Sequence, residues 1–210
     1  MIRTSLALTG AGLLLSVAAP TPTPVAGQSP VMRSAFHDYR VVPVAEGLEH
    51  PWSIAFLPNG DMLITERPGR LRIVRHGTLL PDPVPGIPEV LAQGQGGLLD
   101  VVPHPDFASN RLLYLSFSKP YADGNGATTA VVRGRFENDR LTDVEELFEA
   151  VSRGGGHYGS RLAFDGNGYL FITVGDRQAP ARGDLEAHPA QDLSNHHGTI
   201  NRIHEDGRVP

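Results

Sequence analysis

The chain has 210 residues and a formal net charge of −5, and it shows no basic stripe of the kind that binds nucleic acid. It contains no cysteine, which excludes disulfides and thiolate metal sites. Its 24 glycines and 18 prolines would interrupt long helices and favour many short strands joined by turns. We therefore expect an all-β protein with no nucleic-acid partner.

Residues 1–27 have the features of a secretory signal peptide. Arg3 gives a positive start, an apolar run covers 6–19, and small residues at 25–27 offer a cleavage point. The run is shorter than the roughly 20 apolar residues that a membrane span needs. We predict a cleaved signal, a periplasmic or secreted protein without a stable membrane span, and a linker over 28–38. An uncleaved anchor is the alternative.

The rest of the chain reads as a succession of short apolar runs separated by turn residues. Strands are predicted at 39–44, 52–56, 62–65, 71–74, 98–102, 112–117, 128–136, 144–151 and 199–203. The run at 144–151 is also compatible with a short helix.

A glycine-rich stretch near residue 155 is the most informative part of the sequence. Three glycines precede His157, and two apolar runs follow, joined by an Asn-Gly turn and ending at Asp176. Asn-Gly favours a tight hairpin because both residues adopt positive φ easily. The hairpin would place His157 beside Asp176, and such a carboxylate fixes the imidazole tautomer and raises its basicity, as a general base requires. Alternatively, both side chains merely bond nearby loops.

An internal repeat indicates how the strands are organised. Residues 54–65 and 162–173 share one pattern of apolar residues around an Asn-Gly turn, and 98–115 is a looser copy between them. The spacing corresponds to units of about 50 residues, the size of a four-stranded propeller blade. The repeat therefore favours a β-propeller over a sandwich.

Several motifs, in order along residues 41–210, resemble those of the soluble glucose/sorbosone dehydrogenases, which are PQQ-dependent aldose sugar dehydrogenases with six-bladed β-propellers. They lie at 50–52, 58–60, 65–71, 94–100, 104–107, 157–162, 175–177 and 190–196. Six blades need about 300 residues. The resemblance therefore implies an incomplete N-terminal half over 39–210, with three to three and a half blades, and the chain looks like a fragment.

The resemblance also implies a chemistry and a set of site residues. His157 would be the general base, Asp176 its orienting acid and Gln95 a substrate contact. The reaction would oxidise the anomeric C–OH of an aldose to a lactone by hydride transfer to PQQ, with calcium as Lewis acid and an external electron acceptor. Arg161 and Arg177 are weaker candidates for binding PQQ, and the alternative is that each is a structural residue.

Other implications concern what the chain lacks and where it departs from the family. No metal ligand is expected within it, since the calcium ligands are expected further along, and the chain alone is expected to be inactive. Gln178 stands where the family usually has glycine, and Asn201 puts an amide into an otherwise apolar strand. Two further functions stay open, a non-catalytic propeller that binds carbohydrate or protein and a calcium-dependent lactonase. The presence of both His157 and Asp176 favours the dehydrogenase.

Overall fold

The computed structural model describes residues 29–180 and 182–210, so the predicted signal peptide at 1–27 lies outside the described residues. The chain divides into two compact units at Val42 and Pro43. The described part of the first unit holds a small antiparallel hairpin of β1 (Val31–Arg33) and β2 (Asp38–Arg40). The strand predicted at 39–44 is therefore wrong beyond residue 40, and most of the hairpin falls in the segment predicted as a linker.

The second unit is built from three antiparallel sheets, in each of which consecutive strands are neighbours. The first sheet contains β3 (Pro51–Phe56), β4 (Met62–Glu66), β5 (Arg70–Arg75) and β6 (Thr78–Leu79). The second contains β7 (Leu98–Pro103), β8 (Leu112–Pro120), β9 (Ala127–Glu137) and β10 (Arg140–Glu149). The third contains β11 (Leu162–Phe164), β12 (Tyr169–Val174) and β13 (Thr199–His204). Helical structure in the described residues is limited to α1 (Phe107–Asn110) and a 3₁₀ turn (Pro189–Gln191).

The predicted all-β repeat is confirmed. Phe56 ends β3 and Phe164 ends β11, so the two clearest copies occupy the first hairpins of the first and third sheets. The looser copy is the hairpin that opens the second sheet. The run at 144–151 belongs to strand β10 and is not a helix, because its residues pair with β9. Strand β6 and helix α1 were not predicted.

Two apolar cores lie between neighbouring sheets. Residues of the first and second sheets form the larger core, which includes Leu63, Leu71, Ile73, Leu98, Leu115 and Val132. Residues of the second and third sheets form the other, which includes Tyr114, Val131, Leu162, Leu170 and Ile172. Burial of each such side chain stabilises the fold by about 1.5–3 kcal/mol. Consecutive sheets are thus held together as consecutive blades.

Hydrogen bonds between different sheets join several strand ends. Leu98 at the start of β7 donates its N–H to the carbonyl of Arg67, just after β4. Leu162 at the start of β11 donates its N–H to the Asp100 carboxylate in β7. These bonds place the start of β7, the end of β4 and the start of β11 side by side. No helix of the described residues is long and apolar enough to cross a membrane.

Candidate active site

His157 and Asp176 lie side by side, as the hairpin predicted. His157 Nδ1 is 2.6 Å from Asp176 Oδ1, across the open end of the β11–β12 hairpin. Gly175 permits this approach, because a Cβ at that position would lie 2.0 Å from the His157 carbonyl oxygen. His157 itself has a φ of 44°, a left-handed conformation that non-glycine residues seldom adopt. The local backbone is therefore arranged around this pair.

The pair has the electrostatics of an oriented imidazole. The hydrogen bond from His157 is the main cause that lowers the pKa of the Asp176 carboxyl below its ordinary value of 3.8. An ionised carboxylate at Nδ1 holds the proton on that nitrogen, which leaves Nε2 as the basic nitrogen of the neutral ring. No group in residues 29–180 or 182–210 bonds to Nε2, and half of the side chain is exposed. Nε2 is thus available to accept a proton.

Gln95 contacts the backbone of His157. Its side-chain Oε1 accepts the N–H of His157 at 2.8 Å, although the two residues are far apart in sequence. Arg67 holds the loop around Gln95 by donating to the carbonyls of Gly94 and Gly96. Because the side-chain oxygen of Gln95 is engaged, the NH₂ group of Gln95 is the part that remains for a ligand.

His157, Gln95 and Arg67 all border a cleft of about 340 Å³. Its lining residues are Trp52, Arg67, Gln95, Leu99, His157, Tyr158 and Gly159. A larger cavity of about 400 Å³ surrounds Arg75 at the opposite end of the first sheet. Arg75 is paired there with both Asp61 and Asp139 at 2.8 Å, so the charge of its guanidinium is already satisfied within the protein. The cleft beside His157 is the better candidate for a site.

A comparison with known proteins identifies the family. The family model described as Glucose / Sorbosone dehydrogenase matches residues 48–210. The chain belongs to this family. The aldose sugar dehydrogenase YliI of Escherichia coli (strain K12) is 46% identical over 169 residues, which are 78% of this chain and 43% of that protein. The resemblance given by the motifs is confirmed.

Solved structures of dehydrogenases share the fold. The soluble aldose sugar dehydrogenase from Escherichia coli in the apo-form matches with a TM-score of 0.69 at 46% identity, over 78% of this chain and 46% of that chain. The PQQ-bound form of the aldose sugar dehydrogenase from Streptomyces coelicolor matches with a TM-score of 0.63 at 28% identity, over 88% of this chain and 51% of that one. The chain thus spans about half the length of these relatives, and the predicted propeller-type fold is confirmed.

Arg177 does not line the cleft of this glucose/sorbosone dehydrogenase family member, and its surroundings favour the structural alternative over a contact with a cofactor. The residue is 2% exposed. Its guanidinium donates to the carbonyls of Gly156, Ala127 and Gly154 at 2.7–2.8 Å, and it lies 3.8 Å from the centre of the Tyr158 ring. With its terminal nitrogens bonded to backbone, Arg177 holds the glycine loop that carries His157.

Arg161 is placed differently. Its side chain is 60% exposed, Nη1 donates to the buried Asp100 carboxylate at 3.0 Å, and the guanidinium carbon lies 4.6 Å from the centre of the Trp52 ring. It therefore bridges strands, as the structural alternative predicted. Its other side-chain nitrogens have no partner among the described residues, so they remain open to a ligand.

The residues around the cleft fit a planar, anionic cofactor such as PQQ. An arginine fork suits a carboxylate, and the Trp52 ring offers an apolar surface beside it. Calcium has no comparable support here, because the described residues contain no group of three or more His, Asp or Glu side chains that could hold a metal. No calcium ligand is therefore assigned in this part of the chain.

Sequence reasoning missed three residues that shape the site, namely Trp52, Arg67 and Asp100. Trp52 begins the strand predicted at 52–56, and Arg67 lies between two predicted strands. No local pattern distinguishes a residue that lines a cleft from one that does not. Asp100 gave a usable signal, since a lone carboxylate after two leucines in a predicted strand requires a buried partner. The partners themselves lie in other blades and are invisible to local patterns.

The backbone at Gln178 explains why glycine suits this position. Gln178 has a φ of 62°, in the left-handed region where glycine is favoured, and its amide packs over Gly155 and Gly156.

We expect Gln178→Gly to change the free energy of unfolding by less than about 1 kcal/mol, because relief of the left-handed backbone offsets the lost packing. Gln178→Val should lose about 1–2 kcal/mol, since a β-branched residue is poorly tolerated at positive φ. Urea unfolding of both variants tests this, and a Gly variant less stable than the Val variant would contradict it.

Protonation of Asp176 should weaken the fold at low pH. Because its pKa is lowered in the folded state, the carboxylate stabilises the protein above its ordinary pKa of 3.8, and that contribution is lost as the pH falls through the lowered value. In His157→Ala the pKa of Asp176 should rise toward 3.8, since the main hydrogen bond is gone. Carboxyl carbon NMR across pH 2–6 measures both values. An unchanged pKa in the variant would mean that the Gln178 N–H, 3.1 Å from the same oxygen, holds it instead.

Proposed function

We propose that the chain carries the proton-accepting half of a PQQ-dependent aldose sugar dehydrogenase site. The observation that carries the proposal is the His157–Asp176 contact of 2.6 Å beside a cleft that also contains Gln95. Family membership and the PQQ-bound relative from Streptomyces coelicolor support the cofactor. The activity of the whole protein is part of the proposal, since the relatives are about twice as long.

The chain's own residues perform the proton transfer in this proposal. His157 Nε2 accepts the proton of the anomeric hydroxyl while the C1–H bond breaks and the C1=O bond of the lactone forms. Asp176 keeps the proton on Nδ1 and stabilises the imidazolium that results. The Gln95 NH₂ group donates to a sugar oxygen and orients the ring. When bound, PQQ supplies the acceptor of the hydride from C1, and calcium is the Lewis acid proposed with it.

Two protons and two electrons then leave the sugar, and an external electron acceptor must remove the electrons to allow another turnover. We also propose a periplasmic or secreted location, on the basis of residues 1–27. Such a location would give access to external sugars.

A single assay separates this function from its alternatives. The whole protein, supplied with PQQ and calcium, should reduce an artificial dye only when an aldose is present, with one lactone formed for every two electrons transferred. Hydrolysis of an added lactone without dye reduction would replace the proposal with a calcium-dependent lactonase. Sugar binding without either reaction would replace it with a non-catalytic propeller.

A further inference from the structure

Asp100 is a buried carboxylate that joins all three sheets. It lies in β7 with its side chain 2% exposed. Oδ1 accepts the Ser53 hydroxyl from β3 at 2.6 Å and Arg161 Nη1 at 3.0 Å. Oδ2 accepts the N–H of Leu162 in β11 at 2.9 Å. A buried carboxylate is stable only when its oxygens are bonded, and here the partners come from separate blades.

Arg161 is the exposed member of this network. An exposed arginine ordinarily samples many rotamers, and its ordering costs side-chain entropy. Here one nitrogen is bonded to Asp100 and the guanidinium lies over the Trp52 ring, which lines the His157 cleft. Nε and Nη2 have no partner in the part of the chain that the structure describes. The Arg161 guanidinium is therefore held in one position, and its Nε and Nη2 hydrogen-bond donors remain available to a ligand.

Such an arrangement is suited to a carboxylate ligand. A guanidinium fork binds carboxylates through paired N–H groups, and preorganisation reduces the entropy lost on binding. A clamp between strands alone would not require the arginine to be exposed or to lie beside the cleft. The indole under the guanidinium also gives a flat apolar surface for a planar ligand.

We propose that Asp100 is a positioning residue, which holds the Arg161 guanidinium over Trp52 so that its free N–H groups bind a carboxylate of the planar quinone cofactor. This inference rests on the proposed function for the identity of the ligand. It goes beyond that function because it assigns a role to Asp100 and makes Arg161 act through a buried partner in another blade.

Trp52 is the one tryptophan of the chain, so its fluorescence reports on this place alone. The experiment compares the 210-residue chain with Asp100→Asn, Arg161→Ala and the double variant. Emission and acrylamide quenching are measured without ligand, and quenching is then followed during titration with PQQ, which measures binding without turnover. Ser53→Ala is the matched control, because it removes another hydrogen bond to the same carboxylate and leaves the arginine in place.

Asp100→Asn and Arg161→Ala should both shift Trp52 emission and increase acrylamide quenching, and the double variant should match Arg161→Ala. Each single change should weaken PQQ binding about tenfold, which corresponds to loss of one charge-assisted interaction. The losses should not add, whereas Ser53→Ala should bind PQQ like the parent chain. Non-additivity is the readout that a merely structural role would not produce.

Unchanged emission in Asp100→Asn, or losses that add in full, would overturn the positioning role. If Asp100→Asn does not fold, Arg161→Ala at its exposed site still decides, because parental PQQ affinity in that variant would overturn the inference while leaving the proposed function intact. Failure of the parent chain to bind PQQ would overturn the ligand assigned to Arg161, whereas the proposed function is decided separately by the dye assay on the whole protein. The ligand-free emission would then still decide whether Asp100 positions the arginine.

Discussion

Replacement of His157 by glutamine is expected to lower kcat for aldose oxidation by the whole protein by about 10²–10⁴, the usual contribution of a positioned general base. Glutamine has a similar reach and keeps a polar group near Asp176, but it cannot accept the hydroxyl proton at neutral pH. Binding of PQQ should stay within a few fold of the parent. Steady-state dye reduction with saturating sugar and PQQ measures the first quantity, and PQQ titration measures the second.

His76→Gln is a suitable control for this substitution. His76 is an exposed turn residue with a φ of 50°, close to the 44° of His157, so any penalty for glutamine in a left-handed conformation is matched. The control should retain parental kcat. Asp176→Asn should lose less than His157→Gln, because the imidazole survives but is less basic and less well oriented. Near-parental kcat in His157→Gln would make His157 structural, and recovery at high PQQ would make it a cofactor ligand.

The contact between His157 and Asp176 could be predicted because it depends on a hairpin, and a hairpin is encoded locally. The chain reverses over 166–168, where Gly166 and Gly168 have positive φ, and the resulting register of β11 and β12 decides which residues meet at the open end. Gln95 could be associated with this pair only through the family resemblance. Its hydrogen bond to His157 crosses from one blade to the next, and no local pattern encodes the packing of blades.

The sequence alone could not separate the roles of Arg161 and Arg177. Arg161 and Arg177 both adjoin predicted strands, and charge alone gives them equal claims to an anionic cofactor. The structure separates them, because Arg177 turns inward to backbone carbonyls and Arg161 stays exposed over Trp52. Glycine at position 154 permits the close approach of Arg177, since a Cβ there would lie 2.0 Å from the Arg177 carbonyl oxygen and 2.5 Å from its Cβ.

The short elements escaped prediction for energetic reasons. Strand β6 has only two residues, and it pairs with β5 because the chain turns back at His76 and Gly77. Helix α1 is a single turn that ends at Arg111 in a left-handed conformation. Isolated turns of this length have little intrinsic stability, so tertiary packing determines them, here through the burial of Phe107.

Replacement of Arg177 by methionine is expected to lower the free energy of unfolding by about 3 kcal/mol, because charge-assisted hydrogen bonds contribute about 1.5–3 kcal/mol each and their buried acceptors would be left unpaired. Methionine fills much of the volume and keeps contact with Tyr158, so the loss reports chiefly on the carbonyls of Gly154, Gly156 and Ala127. Urea unfolding measures the change. Since two of these carbonyls lie in the loop that carries His157, the backbone amide of His157 should also exchange faster with solvent.

Arg202→Met is the matched control for this prediction. Arg202 is an exposed arginine that lies over Tyr169 at 4.8 Å, and its replacement should lower the free energy of unfolding by less than about 1 kcal/mol. Equal losses in the two variants would mean that the stacking on tyrosine, and not the bonds to the glycine loop, is what Arg177 contributes.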